Sequence, residues 1–351
     1  MRQYLLSLIF IPLLLVTGSG QWKTMDVFKS DTGFFLITKL AQNYKPTQVL
    51  DYSQARVKMY TEIYNVKDTV YCVYSKHALY LSPNSVDPIG DLIKNGNSNG
   101  INCEHTFPQS KGAEIGNARS DMHHLYPSRA AVNEARSNYP YAEIDDSNTD
   151  HWYYKTQNLT TKPSSLINEY SEAISNQFEP REDHKGNVAR AIFYFFTMYE
   201  FQSDASFFNS MKSTLCNWHN YDPVDSLEWE RTFAIAKYQD NKANPFVLDC
   251  SLVKRAYCPN LQTCKINSNT IDLFDQINPY YDYYSKEIRF NSISTDKKIS
   301  YNIYNTLGQI VLQKNNIANT NNIQLNSFST GIYFFQLLID GQQLVFKFQI
   351  I

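Results

Sequence analysis

The chain changes character near residue 265, and that break constrains its fold more than any other feature. All six cysteines (Cys72, Cys103, Cys216, Cys250, Cys258 and Cys264) lie before it, and an Asn-rich stretch, "KINSNTIDLF", opens a cysteine-free tail behind it. In "LLIDGQQLVFKFQII", Leu344, Phe346, Phe348 and Ile350 alternate with polar or outward-facing residues, the period of a strand with one buried face. Asp340-Gly341 is a tight-turn pair between two such runs, and "ISYNIYNTLGQIVLQ" repeats the pattern with a turn near Leu307-Gly308. The tail therefore predicts a small all-β unit, a sandwich. With 351 residues and 43% apolar content, the chain has room for a second, larger domain with a core of its own.

The other end carries an address. Arg2 precedes the apolar run "LLSLIFIPLLLV", which is short for a membrane span, and the small residues of "TGSGQ" follow. Residues 1–20 are expected to be a signal peptide, residues 21–265 the main domain, and residues 266–351 a linker with the β-sandwich. No later segment approaches the length of a spanning helix, so the mature protein is expected to be exported without a membrane span. In an oxidising compartment an even number of cysteines favours disulfides, and a Cys72–Cys103 bridge is the expected pair because it would pin the strand leading to Glu104.

That strand carries the chemistry. "INCEHTFP" ends with Glu104 and His105 side by side, and "ARSDMHHLYPSRAAVNEARSNYPY" follows. Ser128 can cap a helix over "RAAVNEAR", with Pro140 beyond its end, which sets Asn133 in mid-helix, where an amide has little structural reason to be. Glu104 and Asn133 can share a hard divalent cation through oxygen ligands, leaving His105 as a general base. On a regular strand the two neighbours point to opposite faces, so both reach one site only if the strand ends or bulges there. An isolated Glu-His pair is more often a solvated strand edge. Asp121 is a candidate to orient His105, whereas His123 and His124 read better as structural, hydrogen-bonded histidines. "HKGNVARAIFYFFTMYE" reads as a buried helix, near whose start Lys185 and Arg190 have either a phosphate-binding or a structural role.

Context decides between these alternatives. Residues 30–250 resemble the endonuclease I family of periplasmic and extracellular ββα-metal nucleases, through "CEHTFPQS", "SDMHHLYPSRAAVNEARSN", "FEPREDHKGNVARAIFYFFTMYE", "WHNYDPVDSLEWER" and "NPF". The resemblance implies an α+β protein: a mostly helical nuclease domain built around a ββα-metal motif, with the sandwich after it. It implies Glu104 and Asn133 as ligands of Mg2+, with Mn2+ and Ca2+ as alternatives, and His105 as the residue that activates water. It also implies a transition-state arginine, for which Arg119 and Arg136 are candidates and Arg136 is favoured because it belongs to the matching block; Arg119 is a further phosphate-binding candidate. The implied activity is hydrolysis of DNA, with RNA open as well, to 5′-phosphate products with little sequence preference. With 32 basic and 34 acidic residues, global charge does not announce a nucleic-acid binder, although Lys111, Arg119, Arg129 and Arg136 cluster around the motif.

The tail resembles the C-terminal sorting domain of the type IX secretion system, through "YNIYNTLGQIV", "LNSFSTGIYFFQL" and "KFQII". This implies a Gram-negative bacterium of Bacteroidetes type, a secretion machinery as partner, and release to the medium or display on the cell surface. A carbohydrate- or surface-binding module is the alternative for the tail. For the whole chain the alternative is a catalytically inactive protein that binds nucleic acid or another polymer.

Overall fold

The structure is a computed structural model that describes residues 21–262, 264, 280–282, 285–290, 299–315, 322–339 and 342–350. The expected signal peptide and the Asn-rich opening of the tail fall outside the described residues. The chain divides into two compact units, Met1–Asn267 and Ser268–Ile351.

The first unit enters through α1 (Gly33–Tyr44) and α2 (Tyr52–Lys58), then the hairpin of β1 (Thr69–Tyr71) and β2 (Ala78–Tyr80), then α3 (Pro88–Ile93). β3 (Ile101–His105) pairs antiparallel with β4 (Leu125–Arg129) across a loop that contains α4 (Asn117–Ser120), and α5 (Ala130–Arg136) leaves β4 directly. A second sheet follows, formed by β5 (His151–Tyr154), β6 (Gln157–Leu159), β7 (Ser171–Ile174) and β8 (Gln177–Glu179) in the order β6-β5-β7-β8. The unit closes with α6 (Lys185–Met198), α7 (Ala205–Tyr221), α8 (Ser226–Ala236), α9 (Pro245–Leu248) and α10 (Ser251–Ala256).

Local chemistry starts several of these helices. Asp51, Asp87, Asp204 and Asp225 cap α2, α3, α7 and α8 by accepting a backbone N–H of the first turn. The segment "NVARAIFYFF" is apolar on most sides, so α6 is buried almost all round and packs against α1, α7 and α9. It is the axis of the larger core, with Val188, Ile192, Phe193 and Phe195. A smaller core gathers Ala55, Met59, Ile101, Met122 and Leu125. The β3–β4 hairpin lies between them: Ile101 and Leu125 belong to the small core, while Phe107 and Val132 on either side belong to the large one.

Two expectations are corrected here. Ser128 is not a helix cap; it is a β4 residue paired with Asn102, and α5 starts after Arg129 without a side-chain cap. Cys72 and Cys103 are free thiols, and the disulfides are Cys216–Cys258 and Cys250–Cys264. The reason is facial: Cys72 is buried in the large core, whereas Cys103 packs in the small one, with its sulfur 4.0 Å from Met59 Sδ.

The second unit has two sheets. β9 (Tyr280–Asp282), β10 (Glu287–Arg289) and β13 (Asn322–Gln324) form one, and β11 (Ile299–Asn305), β12 (Ile310–Lys314), β14 (Gly331–Ile339) and β15 (Gln342–Ile350) form the other. Their inner residues share one core: Ile288 and Ile323 from the first, Ile303, Phe335, Phe348 and Ile350 from the second. Along β15, Phe348 and Ile350 are buried and Lys347 and Gln349 exposed, as alternation predicts. The Leu307-Gly308 turn closes with Gly308 at φ 74° and its N–H 3.0 Å from the Asn305 carbonyl. The side chains of Leu344 and Phe346 and the Asp340-Gly341 pair lie outside the described residues.

Candidate active site

β3 and β4 pair in regular register up to His105↔Leu125, and β3 ends there. Glu104 and His105 therefore leave a flat strand end in opposite directions, into two different environments. Glu104 enters a buried cage. Its Oε1 lies 3.2 Å from the Tyr74 hydroxyl, 3.4 Å from the Tyr141 hydroxyl and 2.9 Å from Arg136 Nε. Burial raises the Glu104 pKa to about 7, and the Arg136 charge pulls the other way. All three contacts use Oε1, so Oε2 is the oxygen available to a cation.

His105 sits against the Tyr52 and His124 rings, with centroids 5.4 Å away in each case. Its Nε2 is 2.9 Å from the Arg119 carbonyl oxygen. A carbonyl only accepts, so Nε2 carries the hydrogen and Nδ1 keeps its lone pair, facing Gln109 Nε2 at 3.4 Å. Burial holds the imidazole pKa down to about 3, and the neighbouring His124 acts in the same direction. The ring is thus neutral and its tautomer fixed, as a proton acceptor requires.

Asn133 completes the arrangement from α5. It lies one helical turn before Arg136, on the same face, and Arg136 bonds Glu104. Asn133 Oδ1 is buried and has no hydrogen-bond partner. A buried amide oxygen without a donor is costly unless something electropositive meets it, and a hard divalent cation shared with the Glu104 carboxylate supplies that. The donor set therefore fits the expected metal.

The family model for endonuclease I matches residues 32–250. The chain belongs to the endonuclease I family. A model for the secretion system C-terminal sorting domain matches residues 278–351. Among curated relatives, the chain is 30% identical over 177 residues to the extracellular ribonuclease of Bacillus subtilis (strain 168), covering 44% of this chain and 53% of that protein. It is 31% identical over 172 residues to the extracellular ribonuclease of Bacillus amyloliquefaciens, with the same coverage. The chain thus spans about half the length of these relatives.

In this endonuclease I member, other site expectations are redistributed. Arg136, favoured for the transition state, is fully buried and consumed internally: besides Glu104 it donates to Tyr141 Oη at 3.1 Å, to the Ser137 carbonyl at 2.7 Å and to the Thr106 carbonyl at 2.7 Å. Its guanidinium is the ion-pair partner of Glu104. Arg119 is exposed, its guanidinium carbon 4.9 Å from the Tyr52 ring centre. Asp121 does not touch His105. Its carboxylate accepts from Tyr194, Tyr199, Gln239 and the His123 backbone, and the orienting acceptor of His105 is a main-chain carbonyl instead.

His123 and His124 are buried and bonded to the Lys242 and Ala118 carbonyls. Lys185 is held by Glu143, Glu179 and Glu182, and the fully buried Arg190 by Glu228 and the Asp222 carbonyl. Lys111 pairs with Asp204, and Arg129 bonds Asn99. Sequence reasoning missed Tyr52, Arg56 and Gln109. Tyr52 and Arg56 stand on α2, well upstream of every motif, and their i, i+4 spacing after the Asp51 cap was the one available signal.

Proposed function

We propose that this chain is a secreted, divalent-cation-dependent endonuclease that hydrolyses phosphodiester bonds of DNA and RNA to 5′-phosphate products with little sequence preference. One observation carries this reading: a buried Asn133 oxygen without a hydrogen-bond partner, on the α5 face that also bears Arg136, the ion-pair partner of Glu104, with His105 held at Nε2 by a carbonyl so that Nδ1, facing Gln109, is its accepting nitrogen. When bound, Mg2+, or Mn2+ or Ca2+ in its stead, offsets the negative charge that grows on the phosphate and on the departing 3′ oxygen. His105 Nδ1 takes a proton from a water as that water attacks the phosphorus in line. The new P–O bond remains on the 5′-phosphate while the bond to the 3′ oxygen breaks, and that oxygen takes a proton from solvent. Glu104 and Asn133 hold the cation, Arg136 keeps Glu104 in place, and exposed Arg119 serves the phosphate.

Recognition through backbone phosphates suits a weak sequence preference. The ribonuclease names of the Bacillus relatives support RNA alongside DNA. The sorting-domain match supports delivery by a secretion machinery to the medium or surface of a Gram-negative cell. Among the described residues no helix is long and apolar enough to cross a membrane. The test is incubation of plasmid DNA and of a structured RNA with the purified protein, with Mg2+ and with excess chelator. Cleavage of both that stops on chelation, with 5′-phosphate ends, is the expected result; cleavage that persists in chelator overturns the metal assignment.

A further inference from the structure

The arginines around this fold are mostly spent on internal acceptors. Arg129, Arg136, Arg181, Arg190, Arg231 and Arg255 each bond carboxylate, amide or main-chain oxygens. Arg56 and Arg119 differ: among the described residues neither forms an ion pair, and both guanidiniums lie against the Tyr52 ring, at 4.5 Å and 4.9 Å from its centre. Arg56 Nε is buried and lacks a hydrogen-bond partner. The same Tyr52 ring packs against the His105 ring, with centroids 5.4 Å apart, and Tyr52 borders the small core in which Cys103 also sits. Tyr52 is thus a post fixed to the strand end that bears the general base, with two cations held against it.

Two guanidiniums gathered on one ring without a carboxylate between them repel each other, and an anion that bridges or neighbours them relieves that repulsion. A guanidinium with an unused N–H matches a phosphate oxygen in shape as well as charge. We infer that Arg56 binds a backbone phosphate of the substrate strand next to the scissile one, with Tyr52 spacing it from Arg119 and His105. This rests on the nuclease reading above and adds to it a second phosphate subsite, contributed by α2, outside the ββα motif. Arg56 acts in binding: it holds the strand in register and takes no part in proton transfer. Tyr52 is a positioning residue.

The experiment is a salt titration. The full chain in chelator, where cleavage is off, binds a fluorescent duplex oligonucleotide over a range of NaCl concentrations, and the slope of log K against log salt is read for wild type and Arg56→Gln. Loss of one phosphate contact reduces the slope by about 0.9 and weakens binding roughly tenfold at low salt. KM in Mg2+ rises in parallel while kcat stays within about twofold of wild type, because the contact exists before and during the reaction. Arg56→Lys, which keeps the charge, retains most of the slope. If Arg56→Gln fails to fold, Arg56→Met, which keeps an apolar stem against Tyr52, makes the same measurement. An unchanged slope and KM in a folded, charge-neutral variant overturns the subsite and leaves the nuclease reading standing. A wild-type protein that neither binds nor cuts overturns both.

Discussion

Arg136 and Arg119 flank the same two residues of β3, yet they live in opposite worlds. On the Glu104 side, Tyr74, Tyr141 and Arg136 form a closed cage whose bonds are made before any ligand arrives. On the His105 side, one ring nitrogen is fixed by a carbonyl and the other, an acceptor, meets only the Gln109 amide at 3.4 Å, while Arg119 and Arg56 form no ion pair among the described residues. The first side spends its polar groups on holding a carboxylate still, and the second keeps them available. A strand supplies both environments to adjacent residues because successive side chains diverge. Under the proposed mechanism, the alternation that looked like an objection to a shared Glu-His site separates the cation ligand from the base.

The largest effect should come from the open side. His105→Ala removes the proton acceptor while leaving Glu104, Asn133 and the cage in place, so activity should fall by about a thousandfold at full cation saturation. The thermal midpoint should stay near that of wild type. Near-normal cleavage by this variant would remove His105 from the mechanism and, with it, the division between the two sides.

Exchanging the two arginines for methionine sharpens the contrast next. Arg119→Met should lower activity about a hundredfold, the effect of losing a charge-stabilising donor, and change stability by less than about 0.5 kcal/mol. Arg136→Met strands a buried carboxylate, so it should cost about 3 kcal/mol of stability and raise the cation concentration needed for half-maximal activity. Asn133→Ala should raise that concentration too, without the stability loss. Chemical denaturation and a Mg2+ titration separate the three variants. If Arg136→Met proves stable and catalytically dead, and Arg119→Met active, the assignment of the two sides is reversed.

How much of this was legible beforehand follows from the range of the interactions. The placement of Glu104 and His105 at a strand end and of Asn133 on a short helix could be read because these elements are local and keep their spacing. The role of Arg136 could not, since its place on the helix gives its face but not what that face is packed against. Cys72 and Cys103 made a plausible pair because a bridge there would pin the strand leading to Glu104, and it took two separate cores to put them on different faces. Ser128 looked like a cap because the turn of β4 directly into α5 leaves no loop to mark the boundary. Tyr52 and Arg56 reach the site only through tertiary packing, which no local motif records. The β tail was readable where it is described, in the buried Phe348 and Ile350 and the exposed Lys347 and Gln349, because alternation is itself a tertiary statement about which face is covered.

The closed side also predicts how the protein responds to acid. His184 packs edge-on against Tyr74 of the cage, and burial, with Arg231 and Arg190 nearby, pushes its pKa down to about 3. In the unfolded chain the same ring titrates near the ordinary value of about 6.5. Its folded pKa is depressed, so the unfolded state binds the extra proton and stability falls as pH drops below about 6.5. The loss continues toward the folded pKa, at about 1.4 kcal/mol per pH unit from this group alone. A His184→Asn variant that folds should lose correspondingly less stability than wild type between pH 6.5 and 4.5 in denaturant titrations. Equal slopes would mean that His184 is solvated and the Glu104 side is not closed.

The smallest effect should come from the most drastic cut. Removing residues 268–351 takes away the whole second unit, yet both sides of β3 are assembled from the first. Cys264, the last cysteine used in a disulfide, stays with that first unit, and the second unit has its own core in Ile288, Ile303, Phe335 and Phe348. A unit with its own core separates without opening the other's interior. The truncated protein should therefore cut plasmid within about twofold of the full chain, measured in gel or in solution. In the native host the same truncation should leave nuclease activity in the cell fraction instead of the medium, because the sorting domain is lost. Loss of activity in the purified truncation would show that the second unit completes the site. Normal release with poorer attachment to cells or polymers would make it a binding module, and the address would have to lie elsewhere.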